Sequence, residues 1–545
     1  MPGGEMEVGM ETMEDLFRRF ERLNAIGAAL SNERDLDRLL ENILLAAKSI
    51  THADGGTLYR VSQDKRSLRF AIVRTDTLGI AYGGTSGAPP AAHFGDLPLY
   101  LEDGSENNSL VAAYSALHKA TVNIADAYVA QGFDFSGTRR FDQTTGYRSQ
   151  SFLTVPLKNH ENEVTGVLQL INALDPDSGA VREFSAADQR LAESLASQAA
   201  VALTNRQLIV QLERLFESFI ALINIAIDEK SPYTGGHCQR VPKLTMLLAD
   251  AADAEKTGAL ADFSMDDKDR YELKIAGLLH DCGKVTTPVH VVDKATKLQT
   301  IFDRIDLVET RLEVLRRDCE LDSLRAVLGG TSADVAAAQL AVRLCAIDTD
   351  CAFLRQANRG VESMRPEDQE RVRRIAREYR WQGADGCERD FLSADEVENL
   401  TIRSGTLTAA EREVIKYHIV ATNKLLEALP WPKHLAHVPE YAGGHHERMD
   451  GKGYPKGLRR EEMSIPARIM GIADIFEALT AGDRPYKHGM RLSEALRILR
   501  KFRDNGHVDP DLFEVFVRRR VYLDYAHACL DPAQIDDADE SELLD

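Results

Sequence analysis

A chain of 545 residues is too long for one hydrophobic core and is expected to form about three units. Its 44% hydrophobic and 28% charged residues are those of an ordinary globular protein, and no apolar run approaches the roughly 20 residues that cross a bilayer, so no membrane association is expected. The formal net charge of −20 argues against a broad nucleic-acid-binding face, although a few local cations or a metal can still hold an anionic substrate.

Residues 1–15 are acidic and glycine-containing, without the basic start and apolar stretch of a signal peptide, and are expected to be disordered. The seven cysteines are odd in number, scattered and free of CxxC pairs, which predicts reduced thiols in the cytoplasm.

Residues 16–184 read as an α/β domain. Leu16, Phe20, Leu23, Ile26 and Leu30 keep near-helical spacing, and Asp35 starts a second helix with Leu39, Leu40, Ile43 and Leu44 inward. Strand-like stretches follow at Gly56–Val61, Leu68–Arg74, Ser151–Lys158 and Val164–Asn172, the last two joined by a turn at Asn159–Asn162. The expected fold is a central antiparallel sheet with helices on one side. The phrases Thr145–Leu157 and Glu163–Ala173 resemble a GAF domain, which implies a sensor that takes a small-molecule ligand. Phe141, Asp142 and Thr145–Tyr147 are similar to GAF modules of cyclic-nucleotide phosphodiesterases, and fit equally a turn that fixes the sheet edge.

Residues 185–230 contain neither Pro nor Gly, and Ser185 with Asp188 makes a helix start. Leu191, Leu195, Leu203, Leu208, Leu212, Leu215, Phe219 and Leu222 then form a stripe along a rod of about 70 Å. It is read as a signalling helix that pairs with its copy in a homodimer. Residues 231–525 are helical almost throughout, and 526–545 form an acidic tail, expected to be disordered from Asp531.

The chemistry is concentrated in that helical region. His280 and Asp281 end an apolar helical stretch, His445 and His446 precede a Gly-rich loop, His237 follows a Gly pair, His418 lies in a helical run and Asp474 in an apolar helix. Imidazole and carboxylate bind first-row divalent metals, and a carboxylate bridges two of them. Two metals about 3.5–4 Å apart can hold both the attacking and the leaving oxygen of a phosphodiester. A buried aspartate also needs a partner. An ion pair would satisfy Asp281 or Asp474 alone, but not the whole set.

The order His237, His280-Asp281 with Lys284, His418, His445-His446, Gly453-Tyr454-Pro455, Asp474 and Arg484–Lys487 resembles the HD-GYP domain of the HD superfamily. The resemblance implies an all-α phosphohydrolase that cleaves cyclic di-GMP to the linear dinucleotide pGpG, to GMP, or to both, with iron, manganese or similar metals. It makes His237, His280, Asp281, His418, His445, His446 and Asp474 the ligands of two divalent ions. Asp281 would bridge them and, with Lys284, act in catalysis. Lys284, Gly453, Tyr454, Arg484 and Lys487 match substrate-facing positions; the cations suit phosphate oxygens, and Gly451 and Gly453 would let backbone approach the ligand. Tyr233 stands where three-metal members carry glutamate, which favours two metals. About a hundred extra residues, roughly 300–400, form an insertion. Two alternatives are another cyclic dinucleotide or nucleotide as substrate, and a non-catalytic cyclic di-GMP receptor.

Overall fold

The computed structural model describes residues 13–33, 35–90, 94–230, 236–360, 363–383, 385–482 and 489–545. The chain divides into two compact units, Met1–Phe216 and Glu217–Asp545, which are taken in turn. Tyr233, Arg484 and Lys487 lie outside the described residues.

The first unit opens with helices α1 (Met13–Asn32) and α2 (Leu36–Thr51). Asp35 caps α2 by accepting the Arg38 amide at 2.8 Å, satisfying one of the donors a helix start leaves free. The strands are β1 (Ala53–Val61), β2 (Ser67–Thr75), β3 (Ile80–Tyr82), β4 (Leu97–Pro98), β5 (Val122–Ile124), β6 (Phe152–Lys158), β7 (Val164–Leu174) and β8 (Val181–Arg182). Helices α3 (Val111–His118) and α4 (Ser136–Thr145) lie in the long connection between β4 and β6. The sheet runs β3-β2-β1-β7-β6-β5, with β4 on β2 and β8 on β7, and every pair is antiparallel.

Alternation along the strands sorts side chains to two faces. Leu58, Leu153, Val155, Leu168 and Leu170 pack with Leu39, Ile43 and Leu44 of α2. Leu191, Leu195, Ala199 and Leu203 join the same core from α5 (Ala186–Lys230), a single helix of 45 residues. Tyr59 and Val167 point the other way, against Ala112, Ala113 and Ala116 of α3. Helices on one side only is therefore not what forms. The second face is also apolar, and α3 covers part of it. At the β6 end, buried Asp142 accepts the Ser149 amide at 2.8 Å and hydroxyl at 2.7 Å, which fixes the turn after α4.

The second unit is helical: α6 (His237–Asp253), α7 (Asp267–Leu279), α8 (Val289–Val292), α9 (Ile305–Leu328), α10 (Ala333–Ala357), α11 (Pro366–Glu378), α12 (Ala394–Leu400), α13 (Ala409–Glu427), α14 (Val438–Gly443), α15 (Ile465–Thr480), α16 (Leu492–Asp504), α17 (Pro510–Arg518), α18 (Val521–Cys529) and α19 (Glu540–Leu544). A two-stranded hairpin, β9 (Arg380–Gln382) and β10 (Glu388–Asp390), interrupts it. Helix α6 packs on α7 and α15, while α13 packs on α14 and on the turn that follows α7.

Residues 298–400 close a core of their own, with Val308, Leu312, Ile347, Leu354, Val372, Ile375 and Phe391 inside. Both ends of this segment meet at Lys294. Its ammonium, fully buried, donates to Asn399 at 2.7 Å and to Glu411 at 2.8 Å, and Thr406 donates to its carbonyl at 2.8 Å. These bonds tie the chain entering the segment to the chain leaving it, and α13 starts on a capping box of Thr408 and Glu411.

The acidic C-terminus does not form a disordered tail. Gln534 donates to the carbonyls of Thr480 and Met490, both at 2.9 Å, and Asp536 accepts the Ser493 amide at 2.9 Å. Leu543 is buried. The segment is too polar to reveal this by itself; its polar atoms find fixed partners on α15, α16 and the loop between them.

Candidate metal centre

Five imidazoles and two carboxylates converge at the heart of the second unit, delivered by five separate stretches of chain. His237 is the first residue of α6, and His280 caps the C-terminus of α7 with Asp281 next to it. His418 projects from α13, His445 and His446 follow α14, and Asp474 sits in α15. Three compatible ligand groups result: His237 with His280 and Asp474; His418 with His445 and His446; and His280 with Asp281 and His445.

Asp281 stands between the first two groups. One carboxylate oxygen lies 3.1 Å from His237 Nε2 and 3.2 Å from His280 Nε2, and the other lies 3.3 Å from His418 Nε2. Asp474 lies 3.3 Å from His237 Nε2, and the Nε2 atoms of His446 and His418 are 3.1 Å apart.

The rings are oriented from behind. His280, His418 and His445 bond through Nδ1 to the carbonyls of Gly277, Ile415 and Ala442, at 2.7, 2.5 and 2.6 Å, each three residues back. An imidazole that donates through Nδ1 turns its Nε2 lone pair inward, as a metal ligand must. One buried atom, His445 Nε2, has no hydrogen-bond partner. Buried polar atoms are ordinarily satisfied. The donor set and this orphaned nitrogen fit a pair of divalent cations.

Electrostatics point the same way. Burial would raise the Asp281 carboxyl, but Lys284 and the facing imidazoles outweigh it and hold the group well below the usual carboxylate range. Asp474 is held down likewise by His237, again against its burial. Burial pushes His445 down to about 4 and His446 well below its usual value, so both stay in the neutral form that ligates metal. His237 is the exception: despite burial, Glu477, Asp281 and Asp474 draw its pKa upward.

Of the expected substrate-facing residues, Lys284, Gly453 and Tyr454 are among those described. The Lys284 ammonium lies 2.6 Å from Asp281. The Tyr454 ring stacks on His446, with centroids 4.9 Å apart and planes 25° from parallel. Gly453 has a different close approach from the one expected: a Cβ there would meet Arg448 N at 2.4 Å and Glu447 Cα at 2.5 Å, so its bareness lets chain pack on chain.

Four contributors are absent from the sequence reading. Buried Glu447 accepts the amides of Lys456 and Leu458 at 2.7 and 2.9 Å, holding the loop that carries Tyr454. Thr422 accepts the Gly283 amide at 3.0 Å and donates to the His280 carbonyl at 3.2 Å. Glu477 bonds His237 Nδ1, and Arg240 donates to Glu477 at 2.7 Å. One signal was available: a second acid one turn after Asp474 in an otherwise apolar helix.

Fold and centre together define a two-part chain, an N-terminal GAF domain followed by a helical HD-type domain. The sequence pattern of the GAF domain family matches residues 35–203, and HD domain patterns match residues 234–341 and 394–512. A 3'3'-cGAMP-specific phosphodiesterase of Vibrio cholerae is 48% identical over 81 residues, 15% of this chain and 19% of that protein. Cyclic di-GMP phosphodiesterases of Pseudomonas aeruginosa and Thermotoga maritima are 38% and 34% identical over 116 and 121 residues. These cover 21% and 22% of this chain, and 27% and 32% of the two relatives. The chain thus spans between about a fifth and a third of the length of these curated relatives. Among solved structures, the GAF domain of an Acinetobacter phosphoenolpyruvate-protein phosphotransferase is 15% identical, with a TM-score of 0.26, over 37% of this chain and 99% of that one.

Proposed function

We propose that this chain is a metal-dependent phosphodiesterase of the HD-GYP type that hydrolyses cyclic di-GMP to pGpG, to GMP, or to both, under the control of its GAF domain. The observation that carries this reading is the convergence of five imidazoles on Asp281 and Asp474, with the buried His445 Nε2 left unpaired. Two divalent ions, iron or manganese, held by His237, His280, Asp281, His418, His445, His446 and Asp474, would supply Lewis-acid stabilisation of phosphoryl oxygens and acidify water.

The protein's own groups do the rest. Asp281 spans both ligand groups and fixes their separation. Lys284, anchored on Asp281 at 2.6 Å, would set a positive charge against the negative charge that develops on the leaving oxygen. Tyr454, stacked on His446, offers its ring edge and hydroxyl to the substrate. Arg484 and Lys487 take the outer phosphate oxygens by resemblance of their motif to the family's, with Arg484 the better fork for two of them.

A second substrate, 3'3'-cGAMP, is favoured by the relative named for it. The GAF domain contains a cavity of about 430 Å³ lined by Tyr59, Phe70, Phe135, Phe141, Tyr147 and Gln169 among others, which suits a small, flat ligand. Helix α5 exposes Leu208, Leu212, Leu215, Phe219 and Leu222 at alternating steps of four and three, the seam of a coiled coil, which supports a homodimer. No helix among the described residues is long and apolar enough to cross a membrane, and the free cysteines suit the cytoplasm.

The test is anaerobic purification, metal analysis, and turnover of cyclic di-GMP and 3'3'-cGAMP side by side with Mn²⁺ or Fe²⁺. Cyclic di-GMP is expected to turn over faster, with two metals per chain, and Asp281→Ala should abolish both. Tight binding of the nucleotide without turnover at any metal loading would leave a receptor, and overturn the enzymatic reading.

A further inference from the structure

His237 is held unlike the other ligands. Where His280, His418 and His445 rest on a backbone carbonyl, His237 Nδ1 meets the carboxylate of Glu477, which is fully buried. That carboxylate is in turn fixed by Arg240 Nε and Nη2, both 2.7 Å from Oε1. The arrangement is two by two. His237 and Arg240 lie three residues apart on α6, Asp474 and Glu477 three apart on α15, and residues at that spacing share a helix face. His237 is thus gripped by carboxylates on both nitrogens, Asp281 and Asp474 at Nε2 and Glu477 at Nδ1.

The consequence is an inequality between the two ligand groups. Around His237 and His280 stand Asp474, the shared Asp281 and, behind, Glu477. Around His418, among the described residues, stand His445, His446 and the shared Asp281. Anionic partners attract a dication, and a carboxylate behind an imidazole raises its basicity and fixes its orientation. We propose that Glu477, itself held by Arg240, is the positioning residue of His237 and makes the His237–His280–Asp474 group the tighter of the two cation positions. The inference rests on the metal reading given above.

Mn²⁺ titrated into the chelator-stripped full chain, followed by calorimetry and by competition with a fluorescent chelator, tests this. The parent is expected to bind two Mn²⁺ in two steps of unequal affinity. In Glu477→Gln the tighter step should weaken about 10- to 100-fold, the usual range for loss of such a partner. The weaker step should stay within about threefold, well short of that range. Thermal unfolding of the stripped protein separates this from a merely structural ion pair, whose loss lowers Tm and leaves both affinities in place. Arg240→Gln, at a partly exposed position, should weaken the same step to a lesser degree, and serves if Glu477→Gln does not fold. Two equal steps in the parent, equal weakening of both steps, or a fall in Tm with both affinities unchanged would overturn the proposal. A parent that binds no Mn²⁺ overturns the metal reading itself, and this inference with it.

Discussion

Replacing Gly283 by alanine adds one methyl group where the centre has no room for it. Gly283 is two residues after Asp281, in the turn that packs on α13, and α13 carries His418. A Cβ at this position would stand 2.0 Å from the His418 carbonyl oxygen and 2.5 Å from the Thr422 amide nitrogen. Ordinary contact begins near 3.4 Å, so the turn and the helix must part by roughly 3.4 − 2.0 = 1.4 Å. Both obstacles are backbone, and no rotamer change relieves them. Overpacking of this kind costs about 1–3 kcal/mol. It also lengthens the 3.3 Å separation between Asp281 and His418, the contact that links the two ligand groups. A misplacement of about 1 Å in catalytic geometry lowers the rate on the order of 100-fold. Gly283→Ala is therefore expected to unfold at lower urea than the parent, to hold less metal, and to turn over cyclic di-GMP about 100 times more slowly. Equilibrium unfolding, metal analysis and steady-state kinetics on one preparation check all three. A variant with parental stability, full metal content and turnover within about twofold would refute the packing argument.

Arg484→Ala and Lys487→Ala are each expected to raise KM about 10- to 100-fold, the worth of a charge-assisted hydrogen bond of about 1.5–3 kcal/mol. Metal content should be unchanged, and metal loss in either variant would place that residue in the scaffold instead. Glu396, bidentate with Arg311 at 2.6 and 3.0 Å, should confer pH dependence on the 298–400 core. Burial opposes its ionisation, but Arg311 and the Ser393 amide hold its carboxyl below the ordinary value of 4.5. Its stabilising contribution is thus complete above that value and is lost as pH falls through the lowered one, and Glu396→Gln should flatten the loss, as hydrogen exchange of α9 and α12 between pH 6 and 3 will show. Leu212→Glu with Phe219→Glu should convert a dimer into monomers, because each apolar side chain removed from a seam forfeits about 1.5–3 kcal/mol. Sedimentation that shows the same mass for parent and double variant would exclude α5 as the dimer seam.

The sequence by itself marked the elements and the histidines and aspartates that the fold gathers into one cluster. Period-2 and period-3.6 patterns mark β1, β2, β6, β7, α2 and α5, because alternation and helical stripes are local consequences of backbone geometry. His280-Asp281 and His445-His446 stand out because adjacent chemistry-bearing residues leave a trace in the chain itself. Tertiary structure decided what depends on partners far away. Glu477 is an unremarked acid in an apolar helix until α15 packs on α6 and brings it to His237 and to Arg240, 237 residues earlier. The acidic C-terminus carries no local sign of order, and Gln534 and Asp536 become fixed because α15, α16 and the loop between them present carbonyls, an amide and a hydroxyl to them. The second face of the GAF sheet is covered because Tyr59 and Val167 are apolar and α3 comes back over them. A local pattern states which face is apolar and which atoms can bond; only the packed chain supplies what lies opposite.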